Sequence, residues 1–440
     1  MAIKVIQSER PLADEAVLAL RDRLRAGGLT ASGSGELDVP AIVRGIIAEV
    51  ASGGAGAVAD LTRRIDKVDV APDAVRVPVE KIRQAHAQAD PAFLALARRV
   101  IANIRQYQQH IKVQAPPDLV RQGRRLGVRY TPVDRVGLYV PGGKAIYPSS
   151  VLMTIIPAQV AGVRQIAIAA PPTETGVNPM TMALAGELGI EEVYRVGGAI
   201  AMAALALGTD RIAPVQMLAG PGNAFVAEAK KQLFGRVAID SLAGPSEVLV
   251  IADETAVAAH VAADLLAQAE HNPGSAILVT PSMALAARVA DELEIQLEGL
   301  ERAEALRAAI DRYSAIIVVP SIDAACDVAN ALATEHLQII TGDDEAAAAK
   351  IRHAGAIFLG DATPVPVGDY YAGPSHVLPT GGTARFFSAL SANSFLKATS
   401  ILRYDRAALA ADGGDIIDFA TREGLTAHAA AVRRRKGREA

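Results

Sequence analysis

The sequence predicts an α/β fold built on largely parallel β-sheet. Two observations predict it. Between about Arg135 and Asp361, short runs rich in Val, Ile and Leu alternate with alanine-rich stretches of helical length, the pattern of strands joined by crossover helices. The chain has 440 residues, 51% of them hydrophobic, enough to bury more than one core and so to divide into two or more domains.

Taken in order, residues 1 to about 32 read as a short helical arm ending near Gly27 and Gly28, followed by a Gly/Ser turn from Ser32 to Gly35. The strand candidates are VGLYV, QIAIAA, VYRV, VQMLA, EVLVIA, AILVT, AIIVV, LQII and AIFLG. Between them lie helical stretches such as Glu254 to His271, Met283 to Leu297 and Ala324 to Ala333. After about Ala389 the strand pattern stops, and segments separated by Gly413, Gly414 and Gly424 suggest a small helical tail domain. The closing VRRRKGRE is basic but has no interleaved aromatics, so it reads as a solvated end.

Charge excludes several partners. Lys and Arg number 44 against 48 Asp and Glu, a net charge of -4 that offers no global attraction for nucleic acid or anionic membranes. Small molecules or further copies of the chain are the expected partners. The start, MAIKVIQSER, lacks a secretory signature, and the longest uncharged apolar run, Val151 to Val163, contains Pro157 and Gln159. It falls short of the roughly 18 to 20 residues that span a bilayer and reads as a buried helix. The single cysteine, Cys326, sits in the helical pattern DAACDVANAL as a small buried thiol. A lone cysteine excludes an intramolecular disulfide and fits a reducing compartment, so the cytoplasm is the expected location.

Three glycine-bearing turns follow strand candidates: Tyr139-Val140-Pro141-Gly142-Gly143, Val196-Gly197-Gly198-Ala199 and Ala219-Gly220-Pro221-Gly222-Asn223. In open α/β sheets ligands settle where strands end and helices begin. Together the turns suggest a nucleotide or phosphate site, although each alone reads as ordinary turn glycine and neither a G-x-G-x-x-G nor a Walker lysine is present. A fourth loop, Ala243-Gly244-Pro245-Ser246-Glu247, places a hydroxyl beside a carboxylate.

Imidazoles and carboxylates gather in a few segments. Gln268-Ala269-Glu270-His271 is closed by Asn272-Pro273-Gly274, and Gln268 and His271, three apart, share a helix face. Gly368 to His376 reads as an irregular loop carrying Asp369 and His376, and Glu423-Gly424-Leu425-Thr426-Ala427-His428 lies near the terminus. The remaining histidines, His86, His110, His260 and His353, sit in helical patterns as plain surface residues. Imidazole with carboxylate oxygen suits zinc or another first-row divalent ion. Thr334-Glu335-His336 precedes LQII; such an adjacent pair can divide base work, one group deprotonating an alcohol and the other a water. Each segment alone also reads as a capped helix end or a surface pair.

Read jointly, RVGLYVPGG, VLMTIIPAQVAG, AGPGNAFVAEAK, AGPSEVLVIAD, QAEH, EHLQI, GDYYAGPSHVLPT and EGLTAH occur in the order and approximate spacing of the histidinol dehydrogenase family. The resemblance runs from about residue 35 to 432. It implies NAD-dependent oxidation of L-histidinol to L-histidine through a retained aldehyde, with one zinc ion per subunit. Gln268, His271, Asp369 and His428 match the zinc ligands; Ser246, His376 and Glu423 match substrate contacts. The substrate-contacting set also takes in the zinc ligands and the catalytic pair. His336 matches the base of both hydride transfers, Glu335 the residue that activates water, and Tyr139 and Asn223 cofactor contacts. Where the family usually has a cofactor-contacting glutamine, this chain has Ile200, so weaker NAD binding is expected.

The implied fold is two incomplete Rossmann-like domains with small helical N- and C-terminal domains. Residues 33–138 with 246–389 would form the main domain, 139–245 the cofactor domain, 1–32 the arm, and 390–440 a tail reaching the partner subunit of a homodimer. The tail would bring Glu423 and His428 to the neighbour's site. Two other readings remain open: a same-fold zinc- and NAD-dependent dehydrogenase of another small polar alcohol, and a non-catalytic nucleotide- or metal-binding protein. The first would leave histidinol untouched, and the second would make Glu335 and His336 dispensable.

Overall fold

The computed structural model describes residues 3–25, 37–142, 147–174, 176–242, 244–271 and 274–436. The glycine turn near Gly27, Gly28 and Ser32 to Gly35, together with Gly143, Ala243, Asn272, Pro273 and the last four residues of the basic end, lies outside them.

From the amino terminus, β1 (Val5–Gln7), α1 (Glu15–Arg25), α2 (Val39–Asp66), α3 (Val79–Gln88) and α4 (Pro91–Ile111) lead to β2 (Leu119–Arg121) and β3 (Arg124–Pro132). Next come β4 (Arg135–Tyr139), α5 (Pro148–Ala161), β5 (Gln165–Ala170), α6 (Pro179–Glu187), β6 (Val193–Arg195) and α7 (Gly198–Leu207). They are followed by β7 (Met217–Ala219), α8 (Ala224–Leu233), β8 (Ala238–Ile239), β9 (Glu247–Ala252), α9 (Ala258–Ala269) and β10 (Ser275–Thr280). Then α10 (Met283–Leu297), α11 (Ala303–Tyr313), β11 (Ala315–Val318), α12 (Ile322–Leu332), β12 (His336–Ile340) and α13 (Asp344–Ala348) precede the last group. That group is β13 (Ala356–Leu359), α14 (Val365–Tyr370), β14 (Leu396–Tyr404), α15 (Arg406–Arg422) and α16 (Thr426–Lys436).

The chain forms two compact units, Met1–Ile111 with Asp134–Phe395, and Lys112–Val133 with Leu396–Ala440. The first holds two wholly parallel sheets, ordered β6-β5-β4-β7-β8 and β1-β11-β10-β9-β12-β13. Every apolar run read as a strand forms one. β1 aside, both sheets have the same winding: the first strand is central, the next two extend to one side and the last two to the other. This is the doubly wound arrangement whose order reverses beside the first strand.

The runs are legible because they are buried on both faces. All six residues of β9 are buried. Val248 and Val250 point into one core with α9 and α10, and Leu249 and Ile251 into another with α1 and α12, as strand alternation requires. The thiol of Cys326 is buried in the second of these cores. A third core joins the five-stranded sheet to α2, α7 and α8. At 28 residues α2 has the length and apolar content of a membrane-crossing helix. It is interrupted at Gly54, and it lays Val43, Ile46, Val50, Val58 and Leu61 into this core.

Two terminal expectations need correction. The amino-terminal arm is not purely helical: Val5–Gln7 adds an edge strand parallel to β11. The carboxy-terminal tail is not purely helical either. In the second unit, Leu396–Tyr404 pairs antiparallel with the whole of β3, which also pairs with β2, and α15 and α16 complete the unit. These ribbon strands are largely wet, so no continuous apolar run marks them. Arg124 on β3 forms an ion pair with Asp412 on α15, tying ribbon to helix.

Candidate active site

A cavity of about 370 Å³ opens in the first unit between the carboxyl ends of β4 and β7 and the amino ends of β9 and β12. The five-stranded sheet contributes Tyr139, Gly142, Gly222 and Asn223; the six-stranded sheet and its flanks contribute Ser246, His271, Glu335, His336, Asp369 and His376. Only the first sheet therefore uses the strand-end position expected of doubly wound folds. A larger groove of about 740 Å³, lined by Lys81, Gln84, Phe93 and Met180 among others, brings together no acid–base cluster.

Glu335 and His336 stand where the chain enters β12. The entry is tight: a side chain on Gly355 would meet the carbonyl oxygen of Glu335 at 2.5 Å, so only glycine lets β13 approach. Glu335 Oε2 accepts the hydroxyl of Ser246 and, at 3.1 Å, the amide of Glu247. Burial raises the pKa of Glu335, with His336 and Ser246 opposing the rise. Glu247 is buried behind it, lifted to about 8 by burial while the Gly381 amide, 2.7 Å from its Oε1, works the other way.

His336 is 2% exposed. Its Nδ1 lies 3.2 Å from the carbonyl oxygen of Glu247 and 3.2 Å from Gln268 Oε1. A carbonyl only accepts, so Nδ1 carries the proton of the neutral ring. Nε2 is left with its lone pair, has no hydrogen-bond partner, and lies 3.5 Å from Asp369 Oδ1. Burial disfavours the imidazolium most strongly, yet Glu335, 3.6 Å away, and Asp369 outweigh it and raise His336 to about 9. The result is an imidazole on the cavity lining whose protonated form is supported from two sides.

Asp369 does not sit in an irregular loop. It occupies the last turn of α14, a helix that Pro366 enters at its first turn, where proline fits because its missing N–H has no partner to lose. Burial alone would raise its pKa, but His336 outweighs this and holds it low. His376 Nδ1 donates to the Asp369 carbonyl oxygen at 2.9 Å, and its Nε2 accepts from Ser150 Oγ at 3.0 Å. Burial lowers its pKa, so it is a neutral ring locked in one tautomer.

Gln268 is 3% exposed, and its Nε2 is buried without a partner; His271, just beyond α9, is exposed and lines the cavity. As placed, the amide turns its oxygen to His336 Nδ1 and its orphaned nitrogen away; a half-turn that offered the oxygen to a metal would give up the bond to Nδ1. Among the described residues no three His, Cys, Asp or Glu side chains form a metal-binding cluster. The donor types of Gln268, His271 and Asp369, one amide, one imidazole and one carboxylate, nevertheless suit zinc, and the unpaired buried amide is what an intended ligand leaves behind.

At the other end, Tyr139 Oη accepts the amide of Gly198 at 3.0 Å, and burial pushes its pKa to about 12. Asn223 caps α8, its Oδ1 accepting from Phe225 and Val226 at 3.1 and 3.2 Å; its amide NH₂ remains for a ligand. The loop before it is fixed from below by Lys230, whose Nζ lies 2.6 Å from the Gly220 carbonyl oxygen and 2.5 Å from Asp240 Oδ1. Ile200 is 2% exposed, packed in the core of α2 and α7.

The family model for histidinol dehydrogenase matches residues 31–436. The chain belongs to the histidinol dehydrogenase family. It is 48% identical to the histidinol dehydrogenase of Rhodopirellula baltica, with 98% of this chain and 97% of that one aligned. It is 51% identical to that of Geobacillus kaustophilus over 88% and 91%. The crystal structure of the histidinol dehydrogenase of Elizabethkingia anophelis matches with a TM-score of 0.89 at 32% identity, covering 98% of each chain.

Of the residues singled out from family motifs, Ser246, Gln268, His271, Glu335, His336, Asp369 and His376 are gathered at one end of the cavity, and Tyr139 and Asn223 line the other. Glu423 and His428 belong to the second unit, where both are exposed. Three residues escaped the sequence reading. Ser150 lies in a buried apolar helix without a charged neighbour to draw attention to it. Lys230 and Asp240 are ten apart, but Lys230 falls on the apolar stripe Val226, Ala229 and Leu233, a periodicity that marks it as inward.

Proposed function

We propose that this chain oxidises L-histidinol to L-histidine in two successive hydride transfers to NAD. The observation that carries the reading is the unpartnered Nε2 of His336, buried beside Glu335 and Asp369 and facing a cavity whose far end is built from Tyr139 and the Asn223 loop. An alcohol placed against Nε2 would surrender its proton there, with bound NAD supplying the hydride acceptor. Glu335, fixed by Ser246 and the Glu247 amide, deprotonates the water that adds to the aldehyde. His336 serves again as the base of the second transfer.

Gln268, His271 and Asp369 would hold zinc, with His428 of the partner subunit as a fourth protein ligand. Zinc bound there supplies an anchor for the imidazole and amino nitrogens of the substrate. Ser246, His376 and Glu423 of the partner subunit would orient the rest, so the carbon to be oxidised meets the nicotinamide in one pose. The division of labour would run by sheet: the five-stranded sheet, with α2 packed in its core, would serve the dinucleotide, the six-stranded sheet and its flanks the metal and the proton chemistry, and residues 390–440 would complete the neighbour's site in a homodimer. The buried Cys326 is consistent with a cytoplasmic enzyme.

Purified protein incubated with L-histidinol and excess NAD should yield two NADH per histidinol, and prior chelation should abolish the yield until zinc is restored. Failure to oxidise histidinol with zinc present rejects the reading.

A further inference from the structure

Next to His336, a line of polar groups follows the packing of α9 on β12. Strand alternation puts His336, Gln338 and Ile340 on one face of the sheet, the face that carries Val261, Leu265 and Leu266 of α9. Two strand residues advance about 6.7 Å and four helical residues about 6 Å, so side chains at these spacings stay in step. Gln268 contacts His336 at 3.2 Å. One helical step earlier Asp264 faces Gln338, and one step earlier again His260 Nδ1 lies 2.7 Å from Asp361 Oδ1, just past β13. The ladder starts at the catalytic base and ends at the surface, since His260 and Asp361 are both exposed.

The middle rung is anomalous. Gln338 is fully buried, and neither amide atom makes a hydrogen bond of good geometry, although the Asp264 carboxyl stands close enough to feel the amide. Its neighbour Asp264 is 8% exposed, with a carboxyl raised to about 6 by burial, against the pull of Gln338 and His260 and with Asp361 adding to the rise. Among the described residues no other charged group faces Asp264: α10 turns Leu285, Val289 and Leu293 inward, and β9 and β10 present Val250 and Leu278. An apolar side chain would fill this position at lower cost. Two open amide atoms next to a buried carboxyl are the kind of polar partners a bridging water needs.

The proposed reaction makes an exit for protons necessary. Conversion of R–CH₂OH, water and two NAD⁺ to R–COO⁻ and two NADH releases three protons: one from the alcohol, one from the added water and one from the carboxylic acid. With substrate and dinucleotide seated, the mouth of the cavity is filled while these protons must leave. We propose that Gln338 and Asp264, bridged by water, pass protons from the His336 side of the site to the exposed His260–Asp361 pair. This rests on the reading of His336 as the base. Gln338 orients the water and Asp264 takes up and releases the proton; neither touches the substrate, so both act through His336.

The test compares proton release, followed with a pH-indicator dye in a stopped-flow instrument, against NADH formation at saturating L-histidinol and NAD with zinc-loaded protein. In the wild type the two rise together. Asp264→Asn keeps the shape but cannot carry a proton; Gln338→Leu removes two unsatisfied polar atoms and should fold at least as stably. Both should lower kcat roughly tenfold, leave both KM values within about twofold, and make proton release lag behind NADH. A purely structural role would shift thermal stability without separating the two signals. Proton release in step with NADH in both variants, while His336→Asn is inactive, overturns the relay alone. Turnover surviving in His336→Asn overturns the base reading and the relay with it.

Discussion

Lys230 and Asp240 form an ion pair of 2.5 Å with 1% and 2% of their side chains exposed, and between them they hold the Gly220 loop and the backbone at Ser241. Asp240 Oδ2 accepts the Gly220 amide at 2.7 Å and Oδ1 the Ser241 amide at 2.7 Å, while Lys230 takes the Gly220 carbonyl. Gly220 itself permits the arrangement: its φ is +115, and a side chain there would meet the Tyr139 carbonyl oxygen at 2.3 Å. The loop that carries Asn223 to the cavity is thus fixed by charges outside the cavity lining.

Removing one partner strands the other. Lys230→Met leaves Asp240 charged and buried, which costs about 3–5 kcal/mol, and frees the loop that carries Asn223. Urea unfolding should register the loss, and steady-state kinetics should show KM for NAD rising more than KM for histidinol. A folded variant with unchanged KM for NAD would mean that the loops keep their shape without the pair.

The roles proposed for Glu335 and His336 would separate the two oxidations. Glu335→Gln keeps an acceptor for Ser246 and the Glu247 amide but cannot deprotonate water. The aldehyde step should slow by about 10²–10⁴-fold while the first hydride transfer persists. Rapid-mixing experiments should then show a burst near one NADH per site, followed by a slow second phase. Equal slowing of both phases would assign Glu335 to the whole reaction.

How much of this was legible beforehand follows from burial. β5 and β9 announce themselves because QIAIAA and EVLVIA lose both faces to packed cores. LKATSILRY does not, because it is a mostly exposed ribbon that pairs with distant residues 124–132. The site divides in the same way. Gln268, Asp369 and His336 are brought together from three separate segments, and only the family motifs joined them in the sequence. What no motif conveyed was the mutual arrangement: that His336 Nδ1 is spoken for by Glu247 and Gln268 and its Nε2 is not. Lys230 was missed because a lysine beside Lys231 reads as solvated surface, although its place on the inward stripe of α8 could have given it away.

The proposed completion of each site by the partner's tail has a consequence for mixed dimers. In a hybrid of an Asp369→Asn chain with a His428→Asn chain, one of the two sites receives its wild-type Asp369 and the partner's wild-type His428. Each homodimer is inactive alone. Random reassociation of equal amounts makes half of the dimers hybrid, so activity should recover to about a quarter of wild type, with metal content rising in parallel. No recovery after verified exchange of subunits would show that each chain completes its own site.

Away from the cavity, a single carboxyl ties acid stability to a three-helix contact. Glu187 ends α6 and accepts both Arg98 of α4, at 2.8 and 2.9 Å, and His86 of α3, at 2.8 Å, clasping three helices. Its pKa falls from 4.5 to about 2, with the Arg98 hydrogen bonds as the largest cause, opposed by burial and reinforced by His86. A carboxyl depressed in the folded state binds fewer protons there than in the unfolded chain, so stability falls as pH falls. The contribution of Glu187 is therefore complete above its ordinary value of 4.5 and is lost as pH drops through about 2. Glu187→Gln cannot titrate. Wild type should exceed it in urea midpoint at about pH 6, and the gap should narrow by about pH 3 and close further below. Other titrating carboxyls act on both proteins alike and cancel in the difference. A gap that stays constant across this range would show that Glu187 contributes packing and not charge to the three-helix contact.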